Sequence, residues 1–142
     1  MQECGVPTPR ERRRTPKPKH WIADPAARQS FGKVLDVPWL SADGDKTRHV
    51  QIGAARMQHR VAIHVRRYAE QKRAAGEDGW TLPRAADRLA TMDYDGLMRI
   101  LRGDVQMTLL HAADLSTEFG RIVTLAPDVQ HLGPMPHPST GL

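Results

Sequence analysis

The side chains of this 142-residue chain that could act on another molecule are mostly cationic, and they are clustered. Six bases stand against two Glu in residues 1–20, within "PRERRRTPKPKHW": Arg10, Arg12, Arg13, Arg14, Lys17 and Lys19. Six more stand against three acids over residues 56–80, all six in "RMQHRVAIHVRRYAEQKR". Residues 81–120 reverse the balance, four bases to six acids, while 21–55 and 121–142 are neutral. Clustered cations displace counterions from a phosphate backbone. The pattern therefore predicts a basic arm and a basic helix face that attract nucleic acid; for the arm, a solubilising tail fits the same residues equally well.

Other chemistry is sparse. Cys4, the single cysteine, lies between Glu3 and Gly5 with no activating cation, and it excludes an internal disulfide or a Cys-based zinc site. His59 and His64 are five apart, whereas two imidazoles on one helix face bind a metal best at a spacing of four. All seven histidines therefore read as structural or surface residues. Asp43 and Asp45 fall short of the ligand series of a calcium loop and read as turn residues. No Ser/His/Asp or Cys/His arrangement, carboxylate pair or phosphate-cradling glycine loop is visible, so we expect no enzyme, cofactor, metal or small-molecule substrate. No apolar run approaches the roughly 20 residues that span a bilayer, and no signal-peptide core follows the basic start. The expectation is a cytoplasmic protein without a membrane partner, associated with the nucleoid when bound to DNA. Arginine supplies 16 of the 21 bases, which fits a high-GC bacterial or phage genome.

These residues need elements to position them. The prolines crowd both ends and leave none between Pro38 and Pro83, so regular structure can run in the middle. Residues 1–20, Pro-rich and without apolar periodicity, read as a disordered arm. "FGKVLDV" (Phe31 to Val37) and "RHVQIG" (Arg48 to Gly53) alternate apolar and polar residues around an Asp43-Gly44 turn, predicting two short strands in an extension over 21–53. From Ala54 the period changes: Met57, Val61, Val65, Tyr68 and Ala69 mark a helix running to Ala75, with Arg56, Arg60 and Arg67 on another face and Gly76 as the stop. Thr81 is an N-cap with Pro83 in the first turn, and Leu82, Ala85, Ala86 and Leu89 form a thin apolar face. Asp93 caps a further short helix closed by Gly103, and "LLHAADLSTEF" makes another, ended by Gly120. "RIVTLA" (121–126) reads as a last short strand and 127–142 as a flexible tail.

A helix of about nine residues is marginal alone in water. That opened by Asp93 must be held by neighbours, with Leu97 and Ile100 meeting Leu89, Leu109 and Leu115, and its other face left free.

At these residues the chain resembles a known family. Tyr68 to Gly120 is similar to the Cro/Xre helix-turn-helix DNA-binding domains of phage repressors and bacterial regulators. "YDGLMRILRG" resembles their recognition helix with its terminal Arg-Gly, "DVQMTLLHAADLSTEFG" the following helix, and "GWTLPRAADRLA" the second helix with its Thr cap. The chain departs from the family at Ala90 and Thr91, where a glycine is usual, and at Leu82, where a polar residue commonly follows the cap. The resemblance implies a mainly α protein: a four-helix helix-turn-helix core over 54–120, with short flanking strands and disordered termini. It implies DNA contacts from Thr81, Arg84, Asp93, Tyr94, Asp95, Met98, Arg99 and Arg102. Among these Arg99 would pair with guanine, Asp95 with cytosine N4, and Arg102 with phosphate or with the helix carbonyls. Two of them also have plain structural roles, Asp93 as an N-cap and Asp95 as a first-turn acid. The implied partners are double-stranded DNA and a second copy in a homodimer, and the implied function is sequence-specific transcription regulation, as a repressor of phage or mobile-element type. The alternative is an antitoxin-like or protein-interaction module on the same fold.

Overall fold

Asp45 starts the longest element. Its carboxylate accepts from the Arg48 amide at 3.1 Å, and the helix it caps, α1, runs Lys46–Ala74. The computed structural model describes residues 16–120. After α1 come α2 (Leu82–Asp87), α3 (Tyr94–Leu101) and α4 (Leu109–Phe119), and two 3₁₀ turns, Pro18–Trp21 and Pro25–Ser30, precede it. Among the described residues the protein is mainly helical and has no strand; Ile22 and Trp39 form an isolated antiparallel bridge.

Neither strand expected in the extension forms. Arg48 to Gly53 belongs to α1, and the boundary expected at residue 53 falls inside that helix. Val50 and Ile52 would share a face on a strand, but on a helix they diverge by about 200°. Accordingly Ile52 is 6% exposed and Val50 68%. Phe31 to Val37 also fails to pair: Phe31 is buried, but Val34 and Leu35 stay exposed on an irregular loop held by α1. The strand expected over 121–126, the tail over 127–142, and Arg10, Arg12, Arg13 and Arg14 lie outside the described residues.

The core gathers Leu97 and Leu101 of α3, Leu115 and Phe119 of α4, Val61, Ala62 and Val65 of α1, Ala85 and Ala86 of α2, and Ile22 and Phe31 of the extension. Two expected core residues are elsewhere. Leu109, in the first turn of α4, is 71% exposed, and Met57 is 48% exposed on α1. Gln58 and His59 hold the interior positions beside Met57.

The extension presses closely on the helices. Gly32, at φ +74°, lies where a Cβ would stand 2.4 Å from the Leu101 carbonyl oxygen and 2.6 Å from Ala62 Cβ. Gly103, at φ +73°, closes α3 in the left-handed conformation, and a Cβ there would meet the Phe31 ring at 2.8 Å. Both positions require glycine for conformation and for space.

Candidate nucleic-acid interface

α3 is short enough to need outside support, and its side chains divide into two faces. Asp93 Oδ1 accepts from the Gly96 amide at 2.8 Å, so the N-cap role read from sequence is real. Leu97, Ile100 and Leu101 are buried. On the opposite side Asp95, Arg99 and Arg102, spaced by four and three residues, are exposed together, and Tyr94 is partly exposed in the first turn. Met98 does not lie free on that face as expected. It is half-buried and packs against the main core, because position 98 falls at the border between the two faces.

The remaining candidates divide similarly. Thr81 Oγ1 accepts from the Arg84 amide at 3.2 Å, capping α2. Arg84 is exposed, and its Nη1 turns back to donate to the Gly79 carbonyl at 3.1 Å. The basic arm is shorter than read. Pro18 and Trp21 are buried, the Lys19 amide donates to the Gly103 carbonyl at 3.2 Å, and its ammonium pairs with Asp104. Lys19 is thus tied to the end of α3, while Lys17 is exposed at the head of the first 3₁₀ turn. Apolar packing of Trp21 ends the arm before residue 20.

Three polar side chains without a specific partner in the sequence reading fix the surroundings of α3: two hold its ends and the third holds the extension turn beside it. Gln58 Nε2 donates to the Ile100 and Val105 carbonyls, each at 2.9 Å, and its Oε1 accepts from the Met107 amide at 2.8 Å. This amide satisfies the C-terminal end of α3 and the loop beyond it from α1. Asp114 of α4 accepts from the Ala90 amide at 3.0 Å, the Thr91 amide at 2.7 Å and the Thr91 hydroxyl at 2.5 Å. The link between α2 and α3 therefore needs no glycine: a carboxylate from the next helix fixes it. Burial alone would raise the Asp114 carboxyl, but these donations together hold it below the usual carboxylate value.

His59 is the third. The Gly32 amide donates to its Nδ1 at 2.8 Å and its Nε2 donates to the Leu35 carbonyl at 3.1 Å, which defines the neutral Nε2–H tautomer. Its ring lies edge-on to Phe31 and Trp39 at 5.2 and 5.4 Å. Burial pushes the imidazole below its ordinary value; bonds to the Leu35 and Val34 carbonyls oppose this, and the Arg60 charge adds to it. All three residues could have been flagged as polar groups inside an apolar helical pattern, but their partners lie 23 to 49 residues away.

Among the described residues no group of three or more His, Cys, Asp or Glu side chains could hold a metal ion, and no helix is long and apolar enough to cross a membrane. No protein-family model, curated protein or solved structure matches the chain.

Proposed function

We propose that this protein is a sequence-specific DNA-binding regulator of the Cro/Xre helix-turn-helix type, which lays α3 in a major groove and represses by occupying an operator. The observation that carries the reading is the division of α3: a fully buried Leu97/Ile100/Leu101 side and an exposed Asp95/Arg99/Arg102 side, on a helix braced at its end by Gln58 and before its start by Asp114. A base-reading group must be held rigidly by residues behind it. With its side chains an α-helix is about 10–12 Å across, which suits a major groove about 12 Å wide. Arg99 offers the fork that reads guanine O6 and N7, and Asp95 accepts from cytosine N4. In this reading the operator is a two-fold site and the protein a homodimer.

Selection of bound duplexes from a random pool, followed by affinity measurement, tests it. Arg99→Ala is expected to lose about 1–3 kcal/mol on the selected site and almost nothing on random DNA. Equal losses on both reassign Arg99 to phosphate, and no loss on either removes α3 from the groove. A second reading, a protein-interaction or antitoxin-like module, is favoured by one feature: Leu109 and Leu110 stand adjacent and largely exposed at the head of α4. Failure to bind any duplex at low salt would turn the assignment to that reading.

A further inference from the structure

Beside the end of α3 runs a trough whose cations, Lys19 apart, form no ion pair among the described residues. Its first part, a cavity of about 370 Å³, is lined by Lys33, Arg66, Arg67 and Arg73. Its second part, about 270 Å³, shares Lys33 and adds Arg28 and Arg102. Lys33 comes from the extension, on the turn that His59 holds through Gly32, while Arg66 comes from α1 and Arg102 from the end of α3. Three segments far apart in the sequence thus bring one sign of charge together.

Arg66 is half-buried, and its Nε is enclosed with no hydrogen-bond partner among the described residues; Arg28 Nε is in the same condition. Neither forms an ion pair among those residues. The acids at hand do not neutralise them: Glu70 lines the first part without pairing, and Asp104 is taken by Lys19. Burial, and then the charge of Arg102, weaken the Arg66 proton affinity, opposed by Tyr94. A guanidinium stays charged in any case. Gathering such groups half out of water without counter-charge is unfavourable unless an anion completes the site.

We infer that this trough seats the sugar-phosphate strand bordering the groove that α3 reads, with Lys33, Arg66 and Arg102 contacting its phosphodiesters. The inference rests on the DNA-binding reading and deepens it. It makes the extension part of the DNA-binding surface and gives Lys33 a role independent of base sequence. Arg102, at the C-terminal end of α3, lines the second part, so the trough reaches the end of that helix. A strand held there carries no base information and acts equally on every duplex.

The test uses the full chain and the selected duplex, with affinity measured across a salt series. Lys33→Gln and Arg66→Gln should each weaken binding about tenfold on selected and random DNA alike, and lower the slope of log affinity against log salt by about 0.9 for each lost contact. Arg66→Lys should restore most of the slope. Neutralising single phosphates as methylphosphonates should weaken the wild type at one or two positions where Arg66→Gln suffers no further loss. If Arg66→Gln does not fold, the exposed Lys33→Gln carries the same comparison. Unchanged affinity and slope, in a protein whose selected site still depends on Arg99, overturn the trough and leave the groove reading standing. A wild type that binds no duplex overturns both, even if inorganic phosphate alone protects the fold.

Discussion

Two neighbouring residues on one helix brace two different regions by different means. Gln58 holds the end of α3 and the following loop with three hydrogen bonds from an uncharged amide. His59 holds the Gly32–Leu35 turn with two bonds, one of which requires an unprotonated ring nitrogen. The end of the helix proposed to read bases thus rests on a support that ignores pH, while the turn that presents Lys33 rests on one that titrates near neutrality. Specific recognition and general attraction should therefore be separable by experiment.

The largest effect is expected where both regions meet the core. Leu97 and Leu101 form the buried side of α3, and the Gly32 turn presses on the Leu101 carbonyl. Leu97→Ala should destabilise by about 2–5 kcal/mol, a large part of the stability of a domain of this size. Calorimetry should show one cooperative transition moving down, because helices as short as α2 and α3 do not persist alone. Met98→Ala should shift the melting temperature much less. The reverse order would mean that α3 is rotated and its exposed face misassigned.

Next in size is Gln58→Leu, which would leave the Val105 carbonyl and the Met107 amide without their partner, while the Ile100 carbonyl keeps the Gly103 amide at 3.1 Å. Each such group costs about 1–3 kcal/mol when buried, less than additively when shared. Hydrogen exchange should rise at Met107 while the Gly32 amide stays protected. His59→Leu should produce the opposite pattern. If either variant released both regions equally, the two braces would be one network.

The titrating brace predicts a pH window. The folded His59 imidazole sits below its ordinary 6.5, so the native state prefers it neutral. Above pH 6.5 it is neutral in both folded and unfolded chains, and its contribution is complete. As pH falls below 6.5 the unfolded chain binds the proton first, and stability declines until the folded value is passed. Thermal melts from pH 8 to 5 should show this decline in the wild type and a smaller one in His59→Leu. Asp114 follows in stronger acid: its folded value lies below 3.8, so its contribution is present above that and is lost as pH falls. Exchange should therefore rise at Gly32 before it rises at Thr91. The opposite order would contradict the tautomer assigned to His59.

The same contrast explains what the sequence made legible. α2, α3 and α4 could be placed because Thr81, Asp93, Gly103 and Gly120 are local signals, acting within one turn of the helix they bound. The free face of α3 followed from the apolar positions Leu97 and Ile100, and the family resemblance put Asp95, Arg99 and Arg102 to use on it. The first third of α1 was read as a strand because Val50 and Ile52 fit a period of two over too short a window, and the Asp45 cap carried the contrary signal. Phe31 to Val37 resembled a strand because its true partner, His59, is 27 residues away from Gly32. The roles of Gln58 and Asp114, and the joining of Lys33, Arg66 and Arg102, depend on tertiary proximity that no local pattern encodes.

The smallest expected effect tests the link between α2 and α3. Two interactions join it to α4: the buried Asp114 carboxylate on Ala90 and Thr91, and the surface pair of Arg88 with Glu118 at 2.6 Å. The Arg88 pair is about as short as the Asp114 contacts, yet Arg88 is more than half exposed, and water competes for its guanidinium. Arg88→Ala should therefore leave the melting temperature unchanged within error, and leave exchange at Thr91 and the affinity of α3 for a selected site as they were. Asp114→Asn keeps one acceptor oxygen but replaces the other with a donor facing the Ala90 and Thr91 groups. It should lower the melting temperature and speed exchange at Thr91. Loss of selected-site affinity should follow, since the start of α3 is no longer fixed relative to α2. If Arg88→Ala loosens the link and Asp114→Asn does not, the surface pair sets the geometry of the reading helix, and the carboxylate is only a local cap.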